Sequence, residues 1–188
     1  RGDKLKALQK MYHITNEERT EIIRPNAENG QEPVGSMGDD TPMAVLSQQI
    51  RHVGDFFRQQ FAQVTNPPID PLRESIVMSL QTCLGAETNV FAPSARDAHR
   101  IILSSPVLSA SKMQQLETLE DPAFKMDRID LNYDRTLELS DAITAICEQV
   151  ASSIRAGNTL IVLSDKAIDV DKVPANAIMV TGAVHHYL

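Results

Sequence analysis

Tryptophan is absent, cysteine occurs only twice, and aromatic residues make up just 4% of the 188-residue chain. No run approaches the roughly eighteen apolar residues of a membrane span, so no spanning helix and no membrane partner are expected. The thiols, Cys83 and Cys147, lie far apart in apolar stretches. They make neither a disulfide framework nor a zinc site, and buried thiols are inert, so a reduced, cytoplasmic setting without a catalytic cysteine is expected. Bases are in deficit, 18 against 25 acids for a net charge of −7, and they do not cluster, which argues against nucleic acid as a partner. Repeats and low-complexity tracts are missing too. With 42% hydrophobic and 23% charged residues, the composition excludes disordered, collagen-like and coiled-coil classes, and the length suits one domain with at most a small appendage. Arg1-Gly2-Asp3 opens on a charged helical pattern without a leader or initiator methionine, and the last residues carry no stop signal. Both ends are expected to be cuts in a longer polypeptide.

What is present divides into residues 1–75, expected to be helices and long loops, and residues 76–188, expected to be an α/β core. Leu5, Leu8, Met11 and Tyr12 have helical spacing. Thr15-Asn16-Glu17-Glu18 reads as a capping box opening a helix that Pro25 should end. Residues 26–42 read as a long loop, and residues 52–63 as a helix carrying Val53, Phe56, Phe57 and Phe61. Residues 65–71 hold three prolines and cannot be regular structure. Residues 76–84 fit strand or helix, with Gly85 ending either; residues 100–103 and 106–108 look extended, and a short helix is expected near 111–118.

The C-terminal third is clearer. Residues 124–133 alternate as a half-buried strand. Residues 136–156 form a helix with a stripe of Leu139, Ile143, Ile146, Cys147, Val150 and Ile154, closed by Gly157. Thr159–Leu163 reads as a strand buried on both faces, and Asn176–Val180 as a further strand before a helix that follows Thr181-Gly182. This is α/β grammar, with right-handed crossovers expected.

The chemistry-bearing residues give no complete catalytic set. His13, His52, His99, His185 and His186 lack the spacing of a helical metal pair, and adjacent His185 and His186 point about 100° apart on a helix, so no metal site is expected. Asp39-Asp40, beside Gly35 and Gly38, can bind a cation or amine or act as an acid–base pair; a turn whose carboxylates accept backbone amides is the better account of those residues alone. Phe56, Phe57 and Phe61 next to the proline elbow suit an interface or pocket wall, although ordinary core is the commoner use of such aromatics. Arg58, Gln60, Asn66, Asp70 and Arg73 suit a polar network holding that elbow, of which Pro67 is part. Ser164-Asp165, just past a strand, stands either where α/β sheets put ligands or at a helix N-cap.

Two long strings, Gly35-Ser36-Met37-Gly38-Asp39-Asp40-Thr41-Pro42 and the segment from Phe57 to Glu74, resemble the central domain of the large subunit of bacterial glutamate synthase. The likeness continues through Asn89-Val90-Phe91 and Leu160–Asp165. The resemblance implies a degenerate, barrel-like arrangement of βα units with parallel strands. It implies a domain that links a glutaminase domain to an FMN domain and helps wall an ammonia tunnel, in a reaction converting glutamine, 2-oxoglutarate and a reductant into two glutamates. FMN and a 3Fe-4S cluster then belong to the parent subunit and no cofactor to this fragment, and the small subunit is a further partner. The glutaminase nucleophile, an N-terminal cysteine, and the three-cysteine cluster motif are both absent here, so the fragment alone is expected to be inactive. The resemblance places Ser36, Met37, Gly38, Asp39, Asp40 and Thr41 beside the tunnel or the 2-oxoglutarate side, with Met37 foremost, and the Arg58–Arg73 elbow at a domain contact. Two alternatives remain: a stand-alone metal-dependent α/β enzyme using Asp39 and Asp40, or a protein-interaction module.

Overall fold

The computed structural model describes residues 2–29, 44–49, 53–57, 79 and 81–188. The chain forms two compact units, Arg1–Pro68 and Ile69–Leu188. The loop residues Ser36 to Thr41 and the elbow residues Arg58, Gln60, Asn66, Pro67, Asp70 and Arg73 lie outside the described residues.

In the first unit, α1 spans Gly2–Met11 and exposes Leu5, Leu8 and Met11. It closes with the paired bonds of a Schellman motif: the His13 amide donates to Lys10 O at 3.3 Å and the Ile14 amide to Gln9 O at 2.8 Å. That geometry sets His13 at φ 53°, a conformation usually left to glycine. The Thr15–Glu18 capping box forms as expected, with the Glu18 amide donating to Thr15 Oγ1 and the Thr15 amide to Glu18 Oε2, each at 3.1 Å. The helix does not end at Pro25, however. Glu18–Ile23 adopts a wider π turn, and α2 continues over Arg24–Asn29. The Arg24 amide reaches back five residues to Arg19 O, and this wider winding accommodates a ring that lacks an amide and crowds the preceding turn. Val53–Phe56 is a single 3₁₀ turn, and residues 52 and 58–63 of the helix expected over 52–63 lie outside the described residues. Phe56 and Phe57 are exposed, because so short a turn has no face to bury.

Among its described residues the second unit holds three two-stranded sheets. β1 (Thr82–Leu84) and β2 (Ile101–Leu103) are antiparallel, with Cys83 opposite Ile102. The 76–84 ambiguity therefore resolves to strand over its last three residues. Cys83 is exposed, contrary to expectation, because its face of this hairpin is uncovered. After α3 (Ala110–Glu117), β3 (Met126–Asp130) pairs in parallel with β5 (Leu160–Ser164), and α4 (Leu139–Arg155) is their crossover. β4 (Asn132–Asp134) pairs antiparallel with β6 (Lys172–Pro174). The expected single strand over 124–133 is thus split. The chain changes partner at Leu131, whose amide donates to Ser164 O at 2.8 Å and whose carbonyl accepts from the Ala175 amide at 2.9 Å. The coarse α/β reading holds, while no barrel closes among the described residues.

Three further expectations are corrected. The helix starts at Leu139 rather than 136, because Asp134 Oδ1 accepts from the Thr136 amide at 2.8 Å and hydroxyl at 2.6 Å, holding a turn there. Its buried face comprises Ala142, Ile146, Cys147, Val150, Ala151 and Ser153, whereas Leu139 and Ile154 are exposed; small residues let the helix approach the sheet closely. Asn176–Val180 is not a strand: Asn176 Oδ1 accepts from the amides of Ile178 (3.0 Å) and Met179 (3.4 Å), opening α5 over Ala177–Tyr187 with Gly182 inside it. Gly157 ends α4 as expected, at φ 88°.

Ile129, Leu131, Ile146, Val150, Ala175 and Val180 form the core, with Tyr133, Ile143, Ile161, Leu163 and Val184 packed on it. Both α4 and α5 cover the face carrying Ile161 and Leu163, so β5 is half-buried throughout rather than buried on both sides. No helix among the described residues is long and apolar enough to cross a membrane.

Candidate functional site

In β3 the alternation sends Asp127 and Ile129 toward α4, and Arg128 and Asp130 to the opposite face. The parallel register sets Asp130 opposite Ser164 at the carboxyl end of the pair, where open α/β sheets place ligands. The polar groups there are already engaged. Arg128 Nη1 donates to Ser164 Oγ at 3.3 Å, and Arg128 Nη2 forms an ion pair with Glu117 Oε1 at the end of α3. Asp130 Oδ1 accepts from the Asn132 amide at 3.0 Å and from Asn132 Nδ2 at 2.6 Å. Asn132 Oδ1 is buried without a hydrogen-bond partner among the described residues. Turning this amide over would set two oxygens against each other, which favours the orientation observed. No helix starts at Ser164-Asp165, so the N-cap alternative is overturned; residues 165–169 are irregular. Ser164 Oγ also accepts from the Lys166 amide at 3.4 Å, so a ligand there would meet the hydroxyl as a donor.

On the opposite face, Ser153 Oγ donates to Asp127 Oδ2 at 2.5 Å and accepts from Asn158 Nδ2 at 2.9 Å. This ties the end of α4 to the start of β3. The only sequence signal for it is a serine set in an apolar helical face.

A third cluster joins residues far apart in sequence. His99 stacks on buried Phe124, centroids 5.0 Å apart, and its Nε2 lies 3.0 Å from Asp121 Oδ2. Asp121 also accepts from the Ala123 amide at 2.9 Å. That backbone bond, followed by the His99 bond, lowers the Asp121 pKa below the ordinary carboxylate value. Asp134 is lowered likewise, first by the Thr136 hydroxyl and then by its amide. Depressed folded-state values favour the fold above the unfolded carboxylate pKa of about 3.9, and the benefit fades as pH falls through the depressed values. A thermal-melting series from neutral to acid pH is therefore expected to show Tm falling below about pH 4, with the slope flattened by Asp121→Asn and Asp134→Asn together. An unchanged slope in the double variant would refute this.

Burial raises the pKa of the Cys147 thiol, as expected of an inert core cysteine. No group of three His, Cys, Asp or Glu residues able to hold a metal occurs among the described residues. The structure thus brings together Ser164 and Arg128, Asp127 and Ser153, and His99 and Asp121; the sequence reading singled out Ser164 but paired it with none of them.

A family model described as the glutamate synthase central domain matches residues 7–188. The chain is 42% identical over 179 residues to a ferredoxin-dependent glutamate synthase of Antithamnion sp., covering 94% of this chain and 12% of that protein. It is 39% identical over 182 residues to a glutamate synthase [NADH] of Schizosaccharomyces pombe, covering 94% of this chain and 9% of that one. It is also 39% identical over 182 residues to a glutamate synthase [NADPH] large chain of Bacillus subtilis, covering 96% and 12%. The chain therefore spans about a tenth of the length of the curated relatives it matches.

Proposed function

The chain belongs to the glutamate synthase central domain family, and from that premise we propose that it works inside a longer polypeptide, joining a glutaminase domain to an FMN domain and helping to wall the ammonia passage between them. The family match over residues 7–188 carries this reading. The parent reaction is glutamine plus 2-oxoglutarate plus reductant to two glutamates, an oxidoreductase and amidotransferase activity, with the small subunit a further partner in a cytoplasmic setting. Relatives named for ferredoxin, NADH and NADPH match this domain alike, so the likeness leaves the electron donor open.

Residues 1–75 then contribute helices and the passage loop, and 76–188 an α/β core of barrel-like βα units. Two cysteines, one buried and one exposed, do not supply a three-cysteine iron–sulfur site, so the cluster and FMN are assigned to a neighbouring domain. The isolated chain is expected to hydrolyse no glutamine and bind no flavin.

Free ammonia must be kept from bulk water and protons, so a conduit needs tightly packed walls. The loop Ser36-Met37-Gly38-Asp39-Asp40-Thr41 is proposed to supply such a wall, with the elbow holding Arg58, Gln60, Asn66, Pro67, Asp70 and Arg73 stiffening a domain contact. Exposed Phe56 and Phe57 beside that elbow suit the same contact. In the full-length polypeptide, Gly38→Trp is expected to leave glutamine hydrolysis running while glutamate formed per glutamine consumed falls about tenfold, an effective barrier of about 1.4 kcal/mol. An unchanged ratio would remove the loop from the passage.

A further inference from the structure

Among the segments with no assigned role, the loop from Gly85 to Arg100 combines a stiff base with an apolar tip. Arg100 fastens the base: its Nη1 donates to Gly85 O and its Nε to Asp97 O, both at 3.0 Å. Gly85 sits at φ 150°, and a Cβ there would stand 2.8 Å from the Arg100 side chain and 3.3 Å from His99 O, so the close approach needs glycine. Asp97 straps the two arms together, accepting from the Thr88 hydroxyl on one side and from the Ser94 amide, at 2.5 Å, on the other. The tip is itself a fixed turn: Asn89 Oδ1 accepts from the Phe91 amide and Asn89 O from the Ala92 amide, each at 2.9 Å.

All this internal bonding holds two large apolar side chains out in the open. Val90 is 82% and Phe91 94% exposed. The seven residues Thr88 to Ser94 carry no charge. A preformed turn loses little conformational freedom on docking, and an aromatic residue is the usual anchor of a docked contact. An uncharged tip on a chain of net charge −7 fits an apolar protein pocket and not an anionic lipid surface.

We infer that the Asn89–Ala92 turn is an apolar plug, with Phe91 its anchor, that seats in an apolar pocket on another domain of the same polypeptide. The occupant follows from length: the chain makes up 9–12% of its relatives, so in them most of the polypeptide lies elsewhere, held at high effective concentration by covalent linkage. The inference rests on the reading of this chain as one domain of a longer synthase.

Hydroxyl-radical footprinting of the full-length polypeptide tests it without mutation, since buried Phe124 is an internal reference. Phe91 is expected to oxidise as slowly as Phe124, about tenfold slower than in the urea-unfolded polypeptide. Oxidation of Phe91 near the unfolded rate would overturn the plug. A photo-crosslinking residue in place of Phe91 then names the pocket: a link to a peptide outside residues 1–188 of the same molecule supports the inference. A link to a second copy, or to a peptide within 1–188, overturns it. The same preparation is assayed for glutamate formation. A protected Phe91 without synthase activity counts against the functional reading alone, and an accessible Phe91 with full activity against the plug alone.

Discussion

Leu131→Ala is expected to destabilise the Ile69–Leu188 unit by roughly 3–5 kcal/mol, the upper part of the range for large-to-small core changes. Leu131 has no exposed surface, and it lies among Ile129, Ile146, Val150, Ala175 and Val180. Its neighbours cannot collapse onto the void, because the backbone at this position is held from both sides, by Ser164 O and by the Ala175 amide. A domain's whole stability is usually only about 5–15 kcal/mol, so this one side chain accounts for a large share. In urea the midpoint should fall by about 1–5 M, given slopes of about 1–3 kcal/mol per molar. With no tryptophan in the chain, the fluorescence of Tyr133, packed on this core, reports the transition. Leu137→Ala is the control: Leu137 is exposed, and a change below about 0.5 kcal/mol is expected. Equal effects of the two substitutions would show that the core is not centred where the chain changes strand partner.

Leu131 also shows what a sequence discloses and what it withholds. Its burial follows from alternation, which is local, but the exchange of partners at that residue depends on Ser164 and Ala175, far along the chain. The Thr15–Glu18 box and the Gly157 stop were legible for the same local reason, since a cap is complete within a few residues. Pro25 misled because its usual effect assumes α winding, and the preceding π turn removes that assumption. Asn176–Val180 misled because four apolar residues in a row have no period, so the capping asparagine was the informative residue and the apolar run was not. Of the candidate site, Ser164 could be placed at a strand end from sequence. Its engagement by Arg128, and the meeting of His99 with Asp121 and Phe124, are tertiary facts that no spacing encodes. The loop and elbow residues stood out in the sequence and the resemblance gave them a place, but they lie outside the described residues.

Ser153→Ala is expected to lower stability by about 1–3 kcal/mol, because it strips a half-buried carboxylate of its hydroxyl donor and Asn158 of an acceptor. The effect should reach beyond one bond. Asn158 also donates to Ser153 O from its backbone amide and its side chain, each at 3.2 Å, and the Gly157 amide donates to Ile154 O at 2.9 Å, closing the Schellman end of α4. Directly afterward the amides of Thr159 and Leu160 both donate to Lys125 O, at 2.8 and 3.0 Å, which starts the pairing of β5 with β3. The Asp127–Ser153–Asn158 network therefore fixes where the crossover helix stops and so which residue of β5 faces which residue of β3. A slip of one position would exchange the core-facing Ile161 and Leu163 for Leu160 and Val162 and move Ser164 away from Arg128. Asp127→Asn keeps the shape of the side chain and removes its charge, so the two substitutions form a double-mutant cycle. A coupling of more than about 0.5 kcal/mol is expected in urea unfolding, together with faster hydrogen exchange at Leu160 in either single variant. Additive losses with unchanged exchange at Leu160 would reduce Ser153–Asp127 to an isolated bond, and the register would then rest on apolar packing alone.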